Sequence, residues 1–184
     1  MSENGRAGDN ETTLATVWLD GCSGCHMSLL DMDERLIELS SKFRLVYSPL
    51  VDRKTFPDHV DVTLVEGAVG SVGDLEKIRK IREHTRVLVS LGDCALTGNV
   101  SAMRNTFGPQ AVYLRVYDEN ADLQKQIPTA GLPALLDRVR PVHEVVPVDV
   151  FVPGCPPSAD TIYQVLTELL AGRVPSLGGV AHFG

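Results

Sequence analysis

Five short, almost unbroken apolar runs alternate with segments that carry helical stripes, and this alternation confines the chain to a sheet covered on both faces. The runs are residues 15–19 (ATVWL), 44–47 (RLVY), 62–65 (VTLV), 86–91 (RVLVSL) and 148–152 (VDVFV). A strand with one solvent face alternates apolar and polar residues, whereas a run that is apolar nearly throughout suits a strand buried on both sides. Between the runs, Met32, Leu36 and Leu39 fall at i, i+4 and i+7, and Leu75, Ile78 and Ile81 recur in the charged segment before the fourth run. The last helix is the best patterned, with Ile162, Val165, Leu166, Leu169 and Leu170 on one stripe, Ser158 placed to cap it and Asp160 in its first turn. Strands and helices in alternation predict a parallel sheet, here a flavodoxin-like doubly wound α/β domain with helices on both faces, over residues 14–184.

Residues 1–13 (MSENGRAGDNETT) hold almost nothing that can be buried and read as a polar, disordered leader. They have neither the apolar core of a signal peptide nor the basic character of a transit peptide. No run approaches the roughly 20 apolar residues of a membrane-spanning helix. Seventeen Lys and Arg against 24 Asp and Glu leave a formal net charge of -7, which disfavours nucleic acid and anionic lipid as partners. The expected location is a reducing cytoplasm, where four cysteines serve as metal ligands or redox groups rather than in disulfides. One stretch breaks the alternation. Between Cys94 and the fifth run lie more than fifty residues containing Gly108-Pro109, Pro128, Pro133, Pro141 and Pro147, too long for an ordinary connection. Helices are expected near residues 95–107 and 132–139, with an irregular excursion at 108–130 that is either a contact surface for another chain or a solvated loop.

The cysteines follow the predicted strands. Cys22 and Cys25 come after the first (WLDGCSGCH), Cys94 after the fourth (SLGDCALTG) and Cys155 after the fifth (VPGCPPS). In a parallel sheet these ends share one edge, where ligand sites form, so thiols separated by 68 and 60 intervening residues can converge. Gly21, Gly24, Gly92 and Gly154, with Pro153, Pro156 and Pro157, let the backbone approach a bulky group and fix the loops. Four thiolates suit a tetrahedral zinc or an iron-sulfur cluster. Structural zinc sites usually use two close cysteine pairs; one close pair here favours a cluster in a preformed crevice, and a core of this size needs no zinc staple. CSGCH also matches the covalent haem pattern, with His26 as axial ligand, and strand, C-x-x-C, helix matches a thioredoxin-like thiol pair. Each explains only two of the four cysteines. Burial as small apolar residues suits any one cysteine but not four at strand ends.

The motifs WLDGCSGCHMSLLD, VEGAV, SLGDCALTGN and VPGCPPSADTI resemble, in order, those of the small subunit of NiFe hydrogenases, particularly the short, soluble, NAD-linked bidirectional type. The resemblance runs from about Thr16 to Leu170. It implies that Cys22, Cys25, Cys94 and Cys155 hold one proximal [4Fe-4S] cluster beside the nickel-iron site of a separate large subunit. It further implies an electron exit through a diaphorase module carrying flavin and further clusters that reduces NAD. The related cluster subunit of complex I, an NADH:quinone oxidoreductase, has adjacent cysteines at the first motif, whereas here Ser23 and Gly24 intervene. Longer hydrogenase small subunits carry a twin-arginine leader and additional cysteines; here the sequence shows four cysteines, and no such leader is expected. A complex I-like subunit and a zinc or thiol-redox domain remain the alternatives.

Other residues are weaker candidates. Glu66, in VEGAV past the third strand, belongs on the cysteine edge, where the resemblance suggests a proton route; the bland alternative is an exposed loop carboxylate. His26 either donates to the cluster or merely begins its helix. Trp18 is expected to pack in the core beside the cluster, and His59, His84 and His143 give no signal. Backbone amides around Cys25 and Cys94 are candidate donors to sulfur. No G-x-G-x-x-G follows a strand, so no dinucleotide site is expected on this chain, and no nickel-iron site either.

Overall fold

In a computed structural model, residues 11–178 and 183 are described. Seven strands occur among them: β1 (Thr12–Trp18), β2 (Phe43–Tyr47), β3 (Val60–Glu66), β4 (Val69–Ser71), β5 (Thr85–Leu91), β6 (Leu135–Arg140) and β7 (Val150–Val152). Five of them form a sheet in the order β2-β1-β3-β5-β7, every pairing parallel. Counting only those five, this is the 2-1-3-4-5 order of flavodoxin-like sheets, in which the chain reverses direction at β1/β3 and opens a crevice at the carboxyl ends.

The α-helices among the described residues are α1 (Gly24–Leu30), α2 (Glu34–Ser40), α3 (Val72–Glu83), α4 (Asp93–Thr97), α5 (Asn99–Ala102), α6 (Gly108–Leu114) and α7 (Ala159–Leu170). Strand residues partition by parity, as the pleat requires. Leu14, Val62, Leu64, Val89 and Leu91 face a core completed by Leu29 of α1 and by Ile162, Val165 and Leu166 of α7. Ala15, Val17, Val65 and Leu88 face the opposite core with Ile78 and Ile81 of α3 and with Val142 and Val146. The unbroken apolar runs of β1, β3 and β5 are thereby explained, since each of these central strands fills two cores at once, whereas the edge strands β2 and β7 leave Leu45 and Phe151 exposed. Ser158 caps α7 as expected, its hydroxyl accepting from the Thr161 N–H at 3.2 Å.

The structure corrects four expectations. The leader expected through residue 13 ends earlier, because β1 begins at Thr12; Thr13 donates its N–H and hydroxyl to Asp61 Oδ2 at 2.9 and 2.7 Å, so hydrogen bonds rather than burial extend the strand. Residues 1–10 of that leader, and residues 179–182 and 184 of the domain, lie outside the described residues. The helix expected near 132–139 is strand β6, antiparallel to β4. Its apolar spacing imitates a helical stripe, but Asn105 bonds both Val139 backbone groups (2.7 and 2.9 Å) and Arg104 bonds the Leu136 carbonyl (2.9 Å), which completes an extended ladder. The helix expected near 95–107 is divided into α4, α5 and a 3-10 turn at Met103–Thr106, broken at Gly98, whose φ is +83°. The irregular excursion expected at 108–130 starts as α6 and a π-helical turn, Arg115–Glu119.

Candidate metal centre

Cys22 lies in the loop after β1, Cys25 in the first turn of α1, Cys94 in α4 directly after β5, and Cys155 in the loop after β7. All four line one cavity of about 70 Å³ at the carboxyl edge of the sheet, together with Glu66 at the end of β3 and Asp93. Every cysteine is a free thiol; Cys25 and Cys94 are buried, Cys22 and Cys155 exposed. The edge therefore brings together what the sequence separates by more than a hundred residues.

Two loops are stitched to each other to form the wall. Gly92 donates to the Val152 carbonyl at 2.8 Å, Asp93 N–H to the Gly154 carbonyl at 2.9 Å, and Gly154 N–H to Asp93 Oδ1 at 2.7 Å. Asp93, to which the sequence motifs give no role, thus ties the Cys94 loop to the Cys155 loop while itself buried. Gly92 is obligatory for two reasons. Its φ is +81°, and a Cβ there would stand 2.2 Å from Cys25 Sγ. The missing side chain is the space that the Cys25 thiol occupies.

Burial is the largest influence on Cys25 and pushes its thiol far above the ordinary range, with the neighbouring Glu66, Cys94, Cys22 and Cys155 adding in the same direction. Cys94 is raised as well, by burial first, then by Cys22, with the backbone N–H of Val100 acting the other way before smaller contributions from Cys155 and Glu66. Two buried thiols raised in this manner become thiolates together only around a cationic centre, which then displaces their protons on binding. Among the described residues, no three His, Cys, Asp or Glu side chains converge closely enough to hold a single metal ion. A tetrahedral zinc with bonds of about 2.3 Å would draw its four sulfurs to within roughly 4 Å of one another. Four thiol side chains around one cavity are a donor set that suits an iron-sulfur cluster.

Glu66 and His26 are not bland. Glu66 is 2% exposed rather than an exposed loop carboxylate, and His26 is equally buried. Glu66 Oε2 accepts the backbone N–H of His26 at 3.1 Å and pairs with its Nδ1, while His26 Nε2 contacts Thr16 Oγ1 at 3.1 Å. Thr16 donates onward to Ser48 at 2.8 Å. The chain Glu66-His26-Thr16-Ser48 thus crosses from the cavity into the sheet, and nothing in the sequence links these positions. We expect Glu66→Ala to cost about 2 to 4 kcal/mol, because it strands a buried imidazole and a buried N–H. Glu66→Gln, which keeps an acceptor, should cost less than half as much, as urea denaturation of the two variants will measure. Trp18 departs from its expected place in the core: it is 43% exposed and donates its indole N–H to the Gly21 carbonyl at 3.0 Å, bracing the Cys22 loop from outside. His59, His84 and His143 do not line the cavity.

Residues 22–169 match the family described as NADH ubiquinone oxidoreductase, 20 Kd subunit, a match that begins on the first cysteine of the cavity. The chain belongs to this family. Within it, the chain is 39% identical over 173 residues to the NAD-reducing hydrogenase HoxS subunit delta of Cupriavidus necator, covering 90% of this chain and 81% of that one. It is 31% identical over 157 residues to the sulfhydrogenase 2 subunit delta of Pyrococcus furiosus, where 85% of this chain spans 61% of the relative. A chain from the crystal structure of an NAD+-reducing [NiFe]-hydrogenase in the H2-reduced state superposes with a TM-score of 0.91 at 38% identity, covering 95% of this chain and 99% of the other. This family member is therefore a small subunit of the NAD-reducing NiFe hydrogenase type, and its doubly wound fold is that of the solved subunit. Among the described residues, no helix is long and apolar enough to cross a membrane.

Proposed function

We propose that Cys22, Cys25, Cys94 and Cys155 hold a single [4Fe-4S] cluster, and that the chain relays electrons between the nickel-iron site of a large subunit and a flavin and iron-sulfur diaphorase module that reduces NAD. The observation that carries this reading is the convergence of four free thiols from three strand ends on one cavity. The relatives support it by their names: an NAD-reducing hydrogenase subunit and an NAD+-reducing [NiFe]-hydrogenase. The cytoplasm, where NAD and thiols are both available, is the location that fits such a task.

A bound cluster supplies reversible one-electron storage at a potential set by burial and by hydrogen bonds to sulfur. The chain's own residues create those conditions. Cys25 shares a core with Leu29 and Leu91, which exclude water, Cys94 is buried as well, and Cys22 and Cys155 are exposed. Gly24 donates its N–H to Cys22 Sγ at 3.4 Å, as expected of the glycine-rich loops. Glu66 holds its Oε2 on His26 and lines the cavity, which places a carboxylate beside the cysteines, and we assign it to a proton route. Outside the cavity, Phe107 and Val116 are 71% and 50% exposed on either side of an apolar groove along α6, and we assign this face to contact with another subunit.

The test is anaerobic iron, sulfide and nickel analysis of the chain isolated with its companions. The expected result is about four irons and four sulfides on this chain, from the cluster stoichiometry, with nickel on a larger companion. Zinc without sulfide would replace the relay with a structural metal domain.

A further inference from the structure

Asn99, like Asp93, is a residue to which the hydrogenase motifs give no task. It follows Gly98, whose φ is +83°, and it has a φ of +33° itself, an uncommon conformation for a residue with a side chain. Two consecutive left-handed residues make a sharp corner between α4 and α5. The corner has a visible consequence: the Asn99 side-chain amide donates from Nδ2 to Cys155 Sγ at 3.3 Å. Asn99 is half-buried, so the contact is sheltered on one side and open on the other. The next residue, Val100, sets its backbone N–H against the Cys94 thiol. One corner therefore addresses two sulfurs that come from different strand ends.

An N–H directed at a ligand sulfur stabilises the more negative of two charge states, and such bonds are among the recognised determinants of cluster potential. Other donors do not duplicate this one. The Gly24 N–H serves Cys22, within the same short loop. Cys155 is exposed, and its Asn99 contact is supplied by a side chain 56 residues away in sequence.

We propose that Asn99 is a positioning residue that raises the reduction potential of the centre through its amide hydrogen bond to Cys155, and that the strained Gly98-Asn99 corner exists to deliver that amide. The inference rests on the four-cysteine cluster reading. The backbone strain is retained because the amide must reach the sulfur; glycine would relieve it but would remove the donor.

The experiment uses the assembled hetero-oligomer and reads the midpoint potential of this chain's centre by electron paramagnetic resonance during a redox titration. Asn99→Gly tolerates the positive φ and deletes the donor, so the midpoint should move to a more negative value with the iron content unchanged. Asn99→Asp keeps the shape but places a carboxylate at the sulfur, and its midpoint should be lower still. Asn99→Gly at the wild-type midpoint would overturn the proposal. Loss of iron from Asn99→Gly, combined with an unshifted midpoint in Asn99→Asp, would overturn it equally by making the residue purely structural. Absence of an iron-sulfur signal from the unaltered chain would sink the cluster reading itself, a separate outcome.

Discussion

Cys94→Ser is expected to abolish hydrogen-dependent NAD reduction in the assembled enzyme while the NADH-dependent dye reduction of the partner module continues. The residue is buried at the start of α4, with its thiol lining the cavity next to Cys25. Serine is nearly isosteric, so the fold should survive; what is lost is a soft thiolate ligand, which a hydroxyl does not replace. Changes outside the ligand set of a metal site commonly cost 10- to 100-fold, so loss of a ligand should exceed roughly 100-fold in hydrogen-linked turnover. Iron analysis on the same preparation checks the cause. Full hydrogen-linked activity in this variant would refute the assignment of four ligands.

Gly92→Ala should be nearly as damaging, although it touches no ligand chemically. The added Cβ would meet Cys25 Sγ at 2.2 Å and the Gly154 carbonyl at 3.4 Å. A positive-φ backbone alone costs a non-glycine residue on the order of 1 to 3 kcal/mol. Gly131 provides the control, since it has the same φ of +81° and nothing within 4 Å of its would-be Cβ. Gly131→Ala should therefore show only the backbone cost in thermal denaturation. Gly92→Ala should show that cost, a further loss from the displaced Cys25 and its stitched loops, and a preparation depleted in iron. Equal destabilisation of the two variants, with full iron in both, would mean that the Cys25 thiol has room to move.

Much of the architecture is legible in the sequence because the parallel sheet leaves a simple trace. Residues such as Leu64 and Val65 must be apolar in succession when the strand fills two cores, and Ile162, Val165, Leu166 and Leu169 must repeat at helical spacing when one face of α7 is buried. The cysteine edge is legible for the same reason: a thiol just after a parallel strand lies at the carboxyl edge whatever the loop does. Less legible is the segment from 95 to 140. There Val139 and Leu136 satisfy a helical stripe and a strand equally well, and the choice falls to β4, Asn105 and Arg104, none of them neighbours of β6 in sequence. Trp18 sits at the surface against expectation because an indole flanked by apolar residues suits a core, whereas its N–H finds the Gly21 carbonyl outside.

By itself the sequence determined the alternation of strands and helices, the edge on which Cys22, Cys25, Cys94 and Cys155 lie, and, through its motifs, the hydrogenase resemblance. These depend on periodicity and on residue type, both of which are local quantities. Only the tertiary structure decided that Glu66 is buried against His26, that Gly92 makes room for Cys25, and that Asn99 reaches Cys155. Each of those is a contact across 40 or more residues, settled by how packed elements meet at a few ångströms, a distance that no local pattern encodes.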